Sequence, residues 1–212
     1  TAYHALFRVA GVRPGQKVLV HMAAGGVGTA VLQICKTIPE VETFGTSSAS
    51  KHGHLRAQGC TWPIDYRTMD YEAEVRRITH GKGVDVVLDP LGGNDWRKGY
   101  RLLRPAGKLV MYGFANAQGP GGRDLVKLVT QFLRTPIFHP MKLLGDNRSV
   151  GGINLGHLWD EQAMLREEMD ALFDLYAKGL IKPVVDGVYE FARAAEAHEQ
   201  IERGRNVGKI LL

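Results

Sequence analysis

The chain predicts an α/β fold: a doubly wound, parallel, six-stranded sheet with helices on both faces. Three observations carry that expectation. Short apolar runs alternate with amphipathic segments through most of the 212 residues, the rhythm of βαβ units. A glycine cluster, Ala23-Ala24-Gly25-Gly26-Val27-Gly28, follows the first apolar run at once and leads into a helical pattern. Val84-Asp85-Val86-Val87-Leu88 is a near-continuous β-branched run, as befits a strand covered on both faces.

Taken in order, Ala2–Ala10 has helical periodicity, with Gly11 as its C-cap and Arg13-Pro14-Gly15 as a turn. Val18–Val20 is the first strand, and Ala30, Val31, Ile34 and Cys35 recur at helical spacing behind the glycines. Val41–Gly45 is the second strand, ending in the polar loop Thr46–Lys51. A helix over residues 50–58 leads through Gly59 to the third strand, Cys60–Ile64. Tyr71–Thr79 is an amphipathic helix and Val84–Leu88 the fourth strand. Asp89-Pro90-Leu91-Gly92-Gly93 breaks the pattern before a helix near Trp96–Leu103. Pro105-Ala106-Gly107 turns into the fifth strand, Lys108–Gly113, and residues 115–123 form a loop. Two apolar helices, Leu125–Leu133 and Ile137–Leu144, precede the sixth strand, Ser149–Asn154, and a long helix, Glu161–Lys178. A glycine turn after the first of six strands implies the order 3-2-1-4-5-6.

From Ile181 the pattern changes: Ile181–Phe191 reads as extended, Ala192–Arg203 as helical and Val207–Leu212 as a last strand. Residues 1–180 are therefore expected to form the sheet domain, and 181–212 to belong with a second domain. Thr1 opens in helical periodicity without an initiating methionine, which reads as a cut inside a larger protein.

Bulk properties narrow the class. With 44% hydrophobic and 23% charged residues the chain has the composition of a globular protein, not a disordered one. The net charge of +5 comes from scattered basic residues. A nucleic-acid partner calls for clustered Lys and Arg with interleaved aromatics, and that pattern is absent from the sequence. An anionic small molecule suits the mild positive excess better. Cys35 and Cys60 have no metal-ligand spacing and fit reduced core thiols, so a cytoplasmic setting is expected. No apolar run approaches the length of a membrane span.

The glycine turn suggests chemistry. A strand that turns tightly into a helix leaves backbone N–H groups unpaired at the positive end of the helix dipole, and phosphate binds there. The dinucleotide fingerprint is Gly-x-Gly-x-x-Gly; here its first position is Ala23, giving Ala23-x-Gly25-x-x-Gly28. Turns of this kind also occur for plain packing reasons. An NAD site places a carboxylate about 20 residues further on, at the end of the second strand. Gly45–Lys51 has hydroxyls and a lysine instead, and Glu42 comes too early. Hydroxyl donors and an ammonium group suit an adenosine 2′-phosphate, which makes NADPH the expected cofactor. The alternative is that Ser50 is only a helix N-cap and Lys51 a solvated charge. Tyr66-Arg67 could reach the same phosphate, or Tyr66 could be a half-buried aromatic at a strand end. His21 and Asp89 stand at the carboxyl ends of the first and fourth strands, where ligands gather, although Asp89 before Pro90 also suits a turn. His52 and His54 are too close in sequence to share a helix face. No residue is required to act as acid or base, so the catalytic residues are unassigned, and no metal site is expected.

The ordered motifs TAYHAL, VRPG, VLVHMAAGGVG, GTSSASKH, PIDYR, GVDVVLDPLGG, GKLVMYG and NVGKILL together resemble the zinc-independent quinone oxidoreductases. These are a branch of the medium-chain dehydrogenase/reductase superfamily. Through HMAAGGVG, SASKH and DPLGG the likeness is greatest to the VAT-1 group within it. The resemblance covers essentially the whole chain. It implies a Rossmann nucleotide-binding domain beside a GroES-like catalytic domain, most of which would lie outside this chain, with 181–212 its returning end. It implies that Ala24, Gly25, Gly26, Val27 and Gly28 meet the pyrophosphate, and that Ser47, Lys51 and Tyr66 bind the 2′-phosphate. Leu91, Gly113, Ile153 and Leu155 would face the nicotinamide ribose and ring, and Asn206 would close over the cofactor. The implied reaction is hydride transfer from NADPH to a quinone or an α,β-unsaturated carbonyl, with negligible turnover by these 212 residues alone. A homodimer through the sixth-strand edge is implied as well.

Two other readings stay open. The segment Leu125–Leu144 mixes apolar residues with Lys127, Arg134 and Lys142, as an interfacial helix would; a membrane-associated binding protein with little catalytic activity is the less favoured reading. The other is an enoyl-reductase module of a multidomain synthase.

Overall fold

The computed structural model describes residues 1–119, 122–123 and 125–212. Its centre is one parallel six-stranded sheet: β1 (Lys17–Val20), β2 (Glu42–Ser47), β3 (Trp62–Asp65), β4 (Val84–Asp89), β5 (Leu103–Met111) and β6 (Ser149–Gly152). Their spatial order is β3-β2-β1-β4-β5-β6, the expected doubly wound arrangement with its reversal between β1 and β4.

Side-chain alternation explains why the central strands are apolar throughout. Val18 and Val20 pack into one core with Leu6, Leu32, Leu88 and Val110, whereas Leu19 between them packs into the other with Phe44, Val75, Val87 and Leu109. Successive residues of a strand point to opposite faces, so a strand with helices on both sides needs apolar residues at every position. The first face is covered by a π-helical segment at His4–Ala10 and by α1 (Gly26–Cys35) and α2 (His52–Ala57). The second is covered by α3 (Tyr71–Ile78) and α4 (Asn94–Leu102). Gly11 ends the first segment in the left-handed conformation, φ 63°, as the sequence implies.

Several boundaries differ from expectation. β2 runs on to Ser47 because Thr46 and Ser47 pair with Ile64 and Asp65 of β3, so Ser47 is a strand residue and not part of the loop. β5 begins at Leu103, and the expected turn at Pro105–Gly107 is absorbed as an irregularity: the register with β4 shifts between Val84 and Val86, and Ala106 adopts φ 65°. The first segment winds as a π-helix instead of an α-helix.

Beyond β5 come α5 (Leu125–Arg134) and α6 (Pro140–Asp146). His139 caps α6 through Nδ1, which accepts from Met141 N, and Pro140 occupies the first helical position. Of the expected loop 115–123, Pro120 and Gly121 lie outside the described residues. After β6 the long helix α7 (Gln162–Ala177) leads to β7 (Val185–Val188), α8 (Ala194–Glu202) and β8 (Lys209–Leu211). β7 and β8 pair with each other in parallel and not with the main sheet. The C-terminal stretch meets the main sheet's first βα turn through a parallel bridge between Gly25 and Gly208.

Candidate functional site

The glycine turn is built by backbone hydrogen bonds. After β1, His21 N donates to Leu88 O and Ala23 N to Thr46 O, which tethers the turn to both neighbouring strands. Gly25 N donates back to Met22 O at 2.9 Å, and Met22 takes φ 51°, an unusual conformation for a residue with a side chain. Gly25 then serves as N-cap of α1, its carbonyl accepting from Thr29 N. The amides of Gly26, Val27 and Gly28 are the first-turn donors that a helix cannot pair internally. The glycines have different roles. A Cβ on Gly28 would lie 2.5 Å from Ala23 Cα and 2.6 Å from Met22 O, so Gly28 lets the helix pack against its own turn. A Cβ on Gly26 would lie 2.6 Å from Cε of Lys209, which crosses it from β8.

The turn opens onto a cavity of about 820 Å³ at the carboxyl ends of β1, β2 and β4. Of the sequence-predicted residues, Ala24, Gly25, Gly26, Ser47, Lys51, Tyr66, Leu91 and Asn206 line it. Val27 and Gly28 are not among its lining residues. Gly113, Ile153 and Leu155 instead line a second cleft of about 480 Å³, at the ends of β5 and β6.

The end of β2 has the expected character. Glu42 sits at the opposite end of that strand, ion-paired with Lys17, far along the strand from the cavity. Ser47 is buried and its hydroxyl donates to Ser48 O at 3.1 Å. Tyr66 is exposed at the cavity wall. Lys51 Nζ donates to Gly204 O at 2.8 Å and to Asn206 O at 2.7 Å, tying the loop before β8 across the cavity mouth. Burial, with Arg67 nearby, holds its ammonium below the usual lysine range, against the pull of Asp186.

His21 and Asp89 stand at the strand ends where the sequence placed them, His21 lining the cavity, and beside them are Tyr71, Asp95, Lys98 and Asn116, which the sequence did not mark. His21 is buried, its Nδ1 within 3.0 Å of Thr46 Oγ1 and its ring edge-on to Tyr71. Asp89 does act as the turn residue, Oδ1 accepting from Leu91 N and Gly92 N, and its carboxyl is pushed up by burial. Tyr71 Oη donates to Asp95 Oδ1 at 2.7 Å, and Asn116 Nδ2 to Asp95 Oδ2 at 2.8 Å. Lys98 lies over the Tyr71 ring, 5.0 Å from its centroid, and pairs with Asp70. The sequence signal for this group was the placement of Tyr71 and Asp95 in the first turns of helices following β3 and β4. Among the described residues no three His, Cys, Asp or Glu side chains gather as a metal ion would require.

Comparison with known proteins places this geometry in context. The family description "zinc-binding dehydrogenase" matches residues 58–212. The synaptic vesicle membrane protein VAT-1 homolog of Danio rerio is 47% identical over all 212 residues, which correspond to 44% of its own length. The quinone oxidoreductase of Pseudomonas syringae pv. Tomato DC3000 superposes with a TM-score of 0.78 at 29% identity, over 99% of this chain and 60% of that one. A mycobacterial protein, Rv1454c, solved in complex with NADPH, superposes with a TM-score of 0.81 at 27% identity, over 100% of this chain and 62% of that one. The chain thus spans roughly half the length of the curated relatives it matches.

Proposed function

This chain belongs to the zinc-binding dehydrogenase family, and on that footing we propose that it is the cofactor-binding part of an NADPH-dependent oxidoreductase acting on quinones or α,β-unsaturated carbonyls. The observation that supports the proposal is one cavity lined both by the glycine turn, at Ala24, Gly25 and Gly26, and by the hydroxyl- and ammonium-bearing residues Ser47, Lys51 and Tyr66. The turn offers donors for a diphosphate, and the ends of β2 and β3 offer Ser47, Lys51 and Tyr66 without a carboxylate lining the cavity there. Lys51 keeps one of its three N–H donors beyond the two given to Gly204 and Asn206. These residues fit a nicotinamide dinucleotide with a 2′-phosphate.

When bound, the cofactor supplies the hydride. This chain's own residues bind and orient it: the α1 amides and Lys51 hold the charged half, and Leu91 lines the cavity at the β4 end. Gly113, Ile153 and Leu155 line the second cleft, proposed to face the nicotinamide half, with Asn206 closing over the cofactor. The family description names zinc; among the described residues no three His, Cys, Asp or Glu side chains gather to hold it.

On the same reading residues 181–212 associate with a second, catalytic domain, two copies pair along the outer edge of β6, and the protein works in the cytoplasm. Turnover is expected from a protein of the relatives' full length. Calorimetric titration with NADPH and NADH tests the cofactor assignment: NADPH binding more tightly supports it, and failure to bind either dinucleotide overturns it. A panel of quinones and enones with NADPH tests the reaction.

One observation favours a second reading, association with membrane surfaces. On α5, Leu125, Val126, Phe132 and Leu133 are each at least 70% exposed, and the vesicle-protein likeness points the same way. Among the described residues no helix is long and apolar enough to cross a membrane. Co-sedimentation with anionic liposomes decides: salt-sensitive binding supports surface association, and absence of binding removes it.

A further inference from the structure

The glycine turn has no cation of its own, yet a diphosphate diester carries two negative charges. Met22, Ala23, Ala24, Gly25, Gly26, Val27 and Gly28 are all uncharged. Lys51, beyond the end of β2, is already tied to two carbonyls. The structure brings another lysine to the turn from the opposite end of the chain.

Gly208 N donates to Ala24 O at 2.8 Å, and Gly208 bridges Gly25 in parallel register. The register is held from the other side too, because Lys209 N donates to Val184 O at 2.8 Å. Gly208 takes φ 79°, and a Cβ there would meet Val184 O at 2.4 Å, so the chain can pass this point only as glycine. Lys209 follows at once, and its Cγ, Cδ and Cε run within 3.0 Å of where a Gly26 Cβ would be. The absence of a side chain at Gly26 therefore makes room for a lysine stem. Lys209 lines the cavity with Ala24, Gly25 and Gly26, and among the described residues its ammonium has no carboxylate within 4.0 Å. His21 lines the same cavity, and its buried Nε2 has no hydrogen-bond partner among the described residues and lies 4.0 Å from Asp89 Oδ2.

We propose that Lys209 is the side-chain cation of the glycine turn, holding the diphosphate bridge of the dinucleotide, so that the C-terminal strand β8 completes the nucleotide site. The inference rests on the dinucleotide reading above and assigns it a residue that the sequence motifs did not mark. It gives the Gly25–Gly208 bridge a purpose: docking of β8 places the charge. It also separates two lysines by what they recognise, Lys51 the 2′-phosphate and Lys209 the diphosphate common to both dinucleotides.

The test uses Lys209→Met, which keeps the apolar stem over Gly26 and removes the charge. Calorimetric titration of the full chain is made with NADPH, NADH and adenosine 2′-monophosphate, alongside thermal melts. The expected result is a loss of about tenfold or more in affinity for NADPH and NADH alike, as for one charge-assisted hydrogen bond, with adenosine 2′-monophosphate bound as by the parent chain and the melting temperature unchanged. The parent chain's affinity is also expected to fall more steeply with salt than the variant's. Unchanged dinucleotide affinity in Lys209→Met means that the lysine only packs over Gly26, and overturns the assignment while leaving the dinucleotide reading intact. A loss confined to NADPH overturns it as well. A parent chain that binds no dinucleotide overturns both.

Discussion

Nε2 of His21 and Oδ2 of Asp89 face each other at 4.0 Å, both buried and neither with a hydrogen-bond partner among the described residues. They join the ends of β1 and β4, the two strands between which the sheet order reverses. Because burial raises the Asp89 pKa in the folded state, folding takes up a proton there more readily than the unfolded chain does. Stability from this group is therefore fully present below the ordinary aspartate range, about pH 4, and is lost as pH rises through the folded value. Asp89→Asn keeps an acceptor for Leu91 N and Gly92 N and abolishes the titration. Urea denaturation across the acid range is expected to show the variant gaining on the parent as pH rises; parallel curves would refute the buried, titrating carboxyl.

Gly28 and Gly26 make opposite predictions although they stand two residues apart. A methyl group on Gly28 meets backbone, Ala23 Cα and Met22 O, which cannot yield without moving the turn. Gly28→Ala should destabilise the protein by about 1–3 kcal/mol, the range for overpacking. A methyl on Gly26 meets only the flexible stem of Lys209, so Gly26→Ala should fold almost normally and lose dinucleotide affinity. Chemical denaturation and titration of the two variants check this, and a larger stability loss at Gly26 would contradict it.

How far the sequence could be read follows from the range of each interaction. The sheet and its order were legible because local periodicity and the Ala23–Gly28 turn carry them, and periodicity needs no knowledge of distant residues. Strand ends were less so: β2 reaches Ser47 only because Ile64 and Asp65 lie alongside, a pairing that no window around Ser47 contains. The cavity wall was half visible. Ser47, Lys51 and Tyr66 lie near motifs, whereas Tyr71–Asp95–Asn116 and Lys209–Gly26 join residues 21–183 positions apart, and nothing local announces such meetings.

Glu168 on α7 is another long-range meeting. One of its oxygens, Oε1, lies 2.9 Å from His4 Nδ1 and 3.3 Å from Arg8 Nε, with the carboxylate buried against the first helical segment. Removing Glu168 leaves the buried His4 Nδ1 without its partner while Arg8 keeps Glu167, so Glu168→Ala should cost about 1–3 kcal/mol. Its neighbour Glu167 pairs with Arg8 in the open, 71% exposed at the side chain, and Glu167→Ala should cost about 1 kcal/mol or less. Equal losses in urea titrations would show that the buried contact has no special weight.

Lys51 gives a prediction with two independent readouts. Its ammonium holds the carbonyls of Gly204 and Asn206 and is proposed to meet the 2′-phosphate. Lys51→Ala should therefore weaken NADPH much more than NADH, by roughly tenfold for one lost charge-assisted contact. In the absence of cofactor the same substitution should free the loop between α8 and β8, and trypsin should cut sooner after Arg203 and Arg205, which flank Gly204. Faster cleavage with equal losses for the two dinucleotides would mean that Lys51 only ties down the loop. Selective loss of NADPH together with faster cleavage would mean that one ammonium serves both partners, so that binding of the 2′-phosphate and closure of the C-terminal loop are linked through a single side chain.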